Sequence, residues 1–259
     1  MLSEELLKEN HEICLQLVDK FLSVCNKYNI IYYVTEGSAL GVVRHHGFIP
    51  WDINFDVHLT VEEYDRLNEA MEKEELGEFV WWKPKNRMCA LLMKKGFVNH
   101  ETHPNIDVTI MGNISDNYFV RKIQLEIAFF NIKMFKLKNT DVKRKYPYNV
   151  LKIVASFFPD SFYFGILDMF KHINQDLKTT YLTAYTPSFH GNSELIKREW
   201  IGENITYGDF EGRKVRILEK SHDYLAHRYG DYMTPPPIEK RVSHHLVEKI
   251  KFPDEKNKK

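Results

Sequence analysis

Twenty-two consecutive residues constrain this chain more than any others: Glu36-Gly37-Ser38-Ala39-Leu40-Gly41-Val42-Val43-Arg44-His45-His46-Gly47-Phe48-Ile49-Pro50-Trp51-Asp52-Ile53-Asn54-Phe55-Asp56-Val57. A β-branched and aromatic segment, Ile30 to Thr35, runs into the Gly-Ser pair. Acidic or amide side chains then alternate with apolar ones along a second predicted strand. Residues i, i+2 and i+4 of a strand share one face, so Asp52, Asn54 and Asp56 project together, with His58 next along. On a regular strand the outer two stand about 13 Å apart, too far to share one Mg²⁺ with short Mg–O bonds. Either the middle position takes part, or Asp52 sits on a bend after Trp51.

A second acid, Asp107, lies within the apolar run Asn105-Ile106-Asp107-Val108. Lone carboxylates are seldom buried unless paired or bound to a metal, and a neighbouring strand would place Asp107 beside Asp56. Gly37 allows the backbone to approach a phosphate closely, and Ser38 at a helix start offers amide and hydroxyl donors. Arg44, a short helix further on, suits a bidentate phosphate contact. The bland alternatives are solvated acids on an open sheet face, an ordinary Gly-Ser turn and a surface arginine. The acids, the turn and Asp107 together favour a site for a metal-bound nucleotide phosphate.

Size and composition set the frame. At 259 residues, with 43% hydrophobic and 14% aromatic side chains, the chain can bury a sizeable core, so global disorder is excluded. Thirty-six basic residues balance thirty-six acidic ones, which argues against a sequence-independent nucleic-acid binder. Cys14, Cys25 and Cys89 form no CxxC pair, as expected of reduced, buried thiols in a cytoplasmic protein. Met-Leu-Ser-Glu-Glu does not open like a signal peptide. No run of about 18 uncharged apolar residues spans a bilayer. The nearest, Val150 to Phe170, is interrupted by Lys152, Pro159, Asp160 and Asp168. Buried helices are its favoured reading, and a surface-lying membrane contact the alternative.

Periodicity predicts an amphipathic helix over 4–28, a strand at 30–35, a short helix from Ala39 to Arg44 and a loop over 45–51. A strand at 53–59 follows, then a helix to about Lys73 opened by a Thr60/Glu63 capping box. Strands are expected at 79–82, 89–93 and 106–111, helices at 148–158 and 161–179, a strand pair at 200–201 and 214–217, and a helix near 219–229. The order predicts an α/β (α+β) protein with a mixed sheet flanked by helices. One domain is expected over 1–240, its core about 10–140 and a helical elaboration about 141–237, with a charged tail at 241–259.

These residues resemble the LicD family, a branch of the nucleotidyltransferase superfold that includes fukutin and fukutin-related protein. The matching text is Glu36-Gly37-Ser38-Ala39-Leu40-Gly41, then Arg44-His45-His46-Gly47-Phe48-Ile49-Pro50-Trp51-Asp52, then Asp56-Val57, with Ile106-Asp107-Val108 similar to a third acidic position. Phe210-Glu211-Gly212-Arg213-Lys214-Val215 and Tyr229-Gly230-Asp231-Tyr232-Met233 are similar to its closing segment. The resemblance implies a nucleotidyltransferase-like sheet and transfer of a phospho-alcohol, such as phosphocholine, from a CDP-activated donor to a hydroxyl of a glycan or lipid-linked glycan. Mg²⁺ or Mn²⁺ would assist, held by Asp52, Asn54, Asp56 and Asp107. Asp52, Asp56 and Asp107 would be the catalytic set, and Gly37, Ser38 and Arg44 would bind the nucleotide. It implies a cytoplasmic location, with peripheral contact at the inner membrane face as a variant.

One departure matters. The family pattern has an aspartate where this chain has Asn54, and an amide keeps one oxygen but loses a full charge. The enzyme tolerates the amide, the lineage has lost catalysis, or the amide is an inactivating substitution. Two competing readings therefore stand beside phospho-alcohol transfer: nucleotidyl transfer onto a protein or small molecule, and a non-catalytic nucleotide- or glycan-binding module. The basic run Lys133, Lys136, Lys138, Lys143, Arg144 and Lys145 is favoured as a solvated helix face, with attraction of the donor pyrophosphate or of an anionic lipid-linked acceptor as the alternative. Asp231 is explained as a helix cap, the role of Glu211 is open, and Tyr32, Trp81, Trp82 and Trp200 are candidate partners for a quaternary ammonium.

Overall fold

In a computed structural model, the structure describes residues 4–83, 89–95, 104–139, 148–174, 178–184 and 191–241. Helix α1 (Glu4–Tyr28) buries a stripe from Ile13 through Leu17 and Phe21 to Val24 and has Glu4 and Glu5 in its first turn, where carboxylates favour the helix dipole. Strand β1 (Tyr33–Val34) leads into α2 (Glu36–His45), and β2 (Asn54–Thr60) into α3 (Val61–Lys73). Strands β3 (Phe79–Trp82), β4 (Cys89–Lys94) and β5 (Asn105–Ile114) come next, then helices α4 (Tyr118–Lys138), α5 (Tyr148–Ser156) and α6 (Asp160–His172). The chain continues through β6 (Tyr181–Ala184), β7 (Leu195–Lys197), α7 (Arg198–Ile201), β8 (Thr206–Phe210), β9 (Arg213–Ile217) and α8 (Ser221–Tyr229).

The strands form one mixed sheet in the order β3-β4-β5-β2-β1-β9-β8, with β6 pairing the far end of β5 and β7 pairing β6. β2 runs parallel to β5 and β1 parallel to β9, whereas β1–β2, β3–β4, β4–β5 and β8–β9 are antiparallel. One face of the central strands carries Phe55, Val57, Leu59, Ile106 and Val108, all fully buried in a core shared with α1 and α3. Phe55 meets Phe210 edge-on at 4.9 Å, tying β2 to the end of β8. The expected mixed α/β fold is therefore present.

Local chemistry explains several joins. The Thr60 hydroxyl caps α3 by accepting from the Glu63 amide, but Glu63 does not complete the capping box. Its carboxylate accepts from the Ile31 amide at 2.8 Å and pairs with Arg66 at 2.6 Å. Arg66 in turn donates to the carbonyls of Tyr28 and Asn29. This clamp fixes the turn from α1 into β1.

Four sequence expectations are corrected. Helix α2 begins at Glu36, so Gly37 and Ser38 lie in its first turn rather than before it. Trp200 and Ile201 are helical, and the strand that pairs β9 is β8; Glu211 and Gly212, with φ of 51° and 75°, make the left-handed turn between them. Helix α4 begins at Tyr118, well before the helix face read from Lys133 onward, because its apolar residues ring the helix and blur the 3.6-residue period. The segment from Val150 to Phe170 is not a buried pair of helices. α5 buries Ala155 alone, and Tyr163, Leu167 and Phe170 are its buried members in α6. Lys133 and Lys136 are exposed as expected, while Lys143, Arg144 and Lys145 lie outside the described residues, as does the charged tail from residue 242 onward.

Truncating Phe55 to Ala should cost about 3–5 kcal/mol, the usual loss for a fully buried Phe. Ile238→Ala, at an exposed position, should change stability by less than about 0.5 kcal/mol. Denaturant melts of the two variants check the contrast.

Candidate active site

The acid cluster follows from strand register. In the parallel β2–β5 ladder Asp56 stands opposite Asp107, Asn54 opposite Asn105 and His58 opposite Thr109, so the polar members of both strands share the face turned away from the core. Asp52 precedes β2 on a bend made by the Asp52 amide donating to the Ile49 carbonyl at 2.8 Å. Its carboxylate returns toward the same place. A methyl group built on Gly37 would lie 2.7 Å from Asp52 Oδ2 and 3.8 Å from Asp56 Oδ2, so both oxygens converge on the bare backbone of the α2 first turn. A residue with a side chain has no room there.

Helix α2 is attached to the acids directly. Ser38 Oγ accepts from the Asp56 amide at 2.8 Å, and the Asp56 carbonyl accepts from the Thr35 amide at 3.1 Å. Ser38 thus positions β2, which the sequence reading did not assign to it. The Asn54 amide donates to Asp56 Oδ1 at 2.8 Å, and Asn54 Oδ1 is buried without a hydrogen-bond partner. An amide at this position therefore orients Asp56 and offsets part of its charge, whereas an aspartate would add a like charge against it. Asp107 Oδ1 accepts from the Thr109 hydroxyl at 3.3 Å.

Electrostatics single out Asp56. Burial, followed by the carboxylates of Asp52, Asp107 and Glu36, pushes its carboxyl well above the ordinary range, with the Arg228 guanidinium pulling the other way. Glu36 adds a part that sequence reasoning missed. It holds a left-handed φ of 53°, a conformation that costs about 1 kcal/mol or more for a non-glycine residue. Its carboxylate pairs with Arg228 and accepts from the Tyr224 hydroxyl at 3.3 Å, while its amide donates to the same hydroxyl at 3.2 Å. Burial lifts Glu36 to about 7 against the pull of Arg228. Arg228 also meets Glu194 at 3.0 Å. His58, 3.9 Å from Glu36, is lowered to about 3 by burial and then by Arg228, so it is neutral. Nothing in the spacing of Arg228 or Glu194 connects them to residue 36; only the fold does.

Other expected members are placed differently. Arg44 donates to the Tyr232 carbonyl and to His45 Nε2, so these bonds tie α2 to the C-terminal segment rather than to the acids. Trp51 lies under the Arg241 guanidinium, 5.3 Å from its ring centre. Glu211 gains a role: it accepts from the Phe48 amide at 3.3 Å, and a side chain on Gly47 would collide with it. It braces the 45–51 loop that delivers Asp52. Gly230, not Asp231, caps α8 with a φ of 69°. Tyr32 and Trp200 are buried, and Trp81 donates to Asn68 at 2.9 Å; these three are engaged in packing.

Among the described residues no three His, Cys, Asp or Glu side chains form a ready-made metal cage. Mg²⁺ does not require one, since it is commonly held by one or two carboxylates together with substrate phosphates and water. Asp56, whose carboxyl is raised by burial and neighbouring acids, stands opposite Asp107 with the unpartnered oxygen of Asn54 beside it, and these groups fit such a shared site.

Residues 29–140 match the family model described as LicD/FKTN/FKRP, nucleotidyltransferase domain. The chain is 23% identical over 263 residues to the lipopolysaccharide cholinephosphotransferase LicD of Haemophilus influenzae, covering 93% of this chain and 97% of that protein. It is 26% identical over 135 residues to an uncharacterized protein of Rickettsia prowazekii, covering 52% of this chain and 44% of the other. Asp52, Asp56, Asp107 and α2 all fall within the matched domain.

A carboxyl raised on folding binds its proton more tightly in the folded state, so stability falls as pH rises from the unfolded value toward the folded one. Asp56→Asn removes that loss while keeping an acceptor for Asn54. Its Tm should exceed that of the parent by a few degrees at pH 8, and the gap should close toward pH 4. Thermal melts across pH check it.

Proposed function

We propose, from the match of residues 29–140 to the LicD/FKTN/FKRP nucleotidyltransferase domain, that this chain transfers a phosphocholine-like phospho-alcohol from a CDP-activated donor to a hydroxyl of a cell-surface glycan. The observation that carries this reading is the register that sets Asp56 against Asp107, with Asp52 folded back over Gly37. The name of the Haemophilus relative, which spans nearly the same length, supports the choice of phosphocholine and of a lipopolysaccharide-type acceptor.

In this scheme the acceptor oxygen attacks the phosphorus of the phospho-alcohol. A new P–O bond forms, the bond to the CMP oxygen breaks, and CMP leaves with the electron pair. Asp56 and Asp107 would hold a divalent cation, Mg²⁺ or Mn²⁺, which when bound neutralises phosphate charge and lowers the pKa of a hydroxyl. The first-turn amides of α2 have no intrahelical partners and, at Gly37 and Ser38, can meet a phosphate oxygen. Asp107 would take the acceptor proton, and positioning with charge stabilisation carries most of the rate in phosphoryl transfer. Asn54 keeps Asp56 aimed, so the amide is compatible with turnover.

The test is CMP release from CDP-choline with a hydroxyl acceptor, with and without chelator. The parent chain should turn over only with Mg²⁺ or Mn²⁺, and Asp56→Asn and Asp107→Asn should each lose at least about 100-fold. Silence in both the parent and Asn54→Asp would overturn the enzyme reading. Recovery in Asn54→Asp alone would make this an impaired homologue, and pyrophosphate release from a nucleoside triphosphate would favour nucleotidyl transfer.

A further inference from the structure

Helices α4, α5 and α6 present an apolar surface that the rest of the described fold leaves uncovered. On α4, Phe119, Ile123, Ile127 and Phe130 recur at i, i+4, i+8 and i+11, one stripe of the helix. Phe119 is 73% exposed and Phe130 61%. The opposite side, with Leu125, Ala128 and Ile132, packs on Ile114, Leu167 and Phe170. α5 has Lys152 as its one charged residue, yet Val150, Leu151, Ile153 and Val154 are exposed. The elbow into α6 adds Phe157, 80% exposed, and Phe158 stacked on Phe162 at 4.7 Å. A helix apolar on all sides is normally buried in protein or lipid, and contiguous apolar patches beyond a few hundred Å² mark interaction surfaces.

Charge indicates what covers it. Residues 118–172 contain ten Lys and Arg against four Asp and Glu, in a chain whose total charge is zero. Lys122 and Lys133 are exposed and eleven residues apart, so they line one flank of the α4 stripe, with Lys136 exposed further round that side. Glu126 is exposed on the same side. Two other acids have basic neighbours: Asp160 is 2.6 Å from Lys138 and Asp168 is 3.5 Å from His172. An apolar face bordered by lysines fits an anionic bilayer, into which apolar side chains sink while the lysines meet the headgroups. No single helix among the described residues is long and apolar enough to cross a membrane, and α5 and α6 bend by 86° at their break. Lying on the surface suits that elbow. We propose that the outer faces of α4, α5 and the α5–α6 elbow dock this chain onto an anionic lipid surface. The proposal is independent of which phospho-alcohol is transferred, because its test reads binding alone.

The full chain is floated with vesicles of phosphatidylcholine and of phosphatidylcholine–phosphatidylglycerol. It should bind the anionic vesicles, and less so in high salt. The triple variant Lys122→Gln, Lys133→Gln, Lys136→Gln should lose on the order of 100-fold on the anionic vesicles, at about fivefold per charge. The triple variant Phe119→Ser, Phe130→Ser, Phe157→Ser should lose binding to the anionic vesicles as well. Each should keep the parent Tm, since these side chains are exposed. No flotation of the parent, or equal flotation of parent and variants, overturns the proposal. A concentration-dependent dimer in sedimentation velocity that the Phe variant abolishes, without vesicle binding by the parent, assigns the face to a second copy and overturns it too.

Discussion

Seven residue pairs of the parallel β2–β5 ladder, from Asn54 against Asn105 to Thr60 against Met111, set everything else in the site. Side chains alternate along both strands, so one register places Phe55, Val57, Ile106 and Val108 in the core and Asp56 beside Asp107 on the other face. A shift by one residue would reverse both at once. The apolar side of the ladder thus holds the acids together, and burial makes their proximity electrostatically costly. The raised Asp56 carboxyl reflects that conflict, which a divalent cation or a proton relieves.

Around the ladder, distant parts of the chain hold the acids in place. Ser38 accepts from the Asp56 amide, Glu211 braces the loop that delivers Asp52, and Arg228 from α8 pairs with Glu36 at the start of α2. The left-handed Glu36 persists because Tyr224 and Arg228 engage both its amide and its carboxylate. Strain kept by surrounding contacts is common where a site must be preorganised. α8 therefore works as part of the site although it lies some 190 residues away in sequence.

Much of this was legible in the chain. Period-two alternation marked β2, the apolar run around Asp107 marked β5, and the missing side chain of Gly37 marked a close approach. Asn54 stood out as an amide among acids, and its contact with Asp56 is what strand spacing predicts. What could not be read depends on tertiary pairing. Nothing local links Arg228 to Glu36, or Glu211 to Phe48. Arg44, suited by type to a phosphate, bonds Tyr232 instead because the C-terminal segment crosses the end of α2. The helices beyond residue 117 misled for a different reason. Their apolar content resembles that of a core, but side chains such as Phe119 and Phe157 remain outside it.

The central claim is that Asp56 and Asp107 together seat the cation that accompanies a nucleotide phosphate. Manganese binding followed by electron paramagnetic resonance, in the presence of CDP-choline, addresses it without requiring turnover. The parent chain should bind Mn²⁺ more tightly with the nucleotide than without it, and Asp56→Asn or Asp107→Asn should each remove that gain. Undiminished, nucleotide-enhanced Mn²⁺ binding in both variants would show that the cation sits elsewhere and that the paired acids have another purpose.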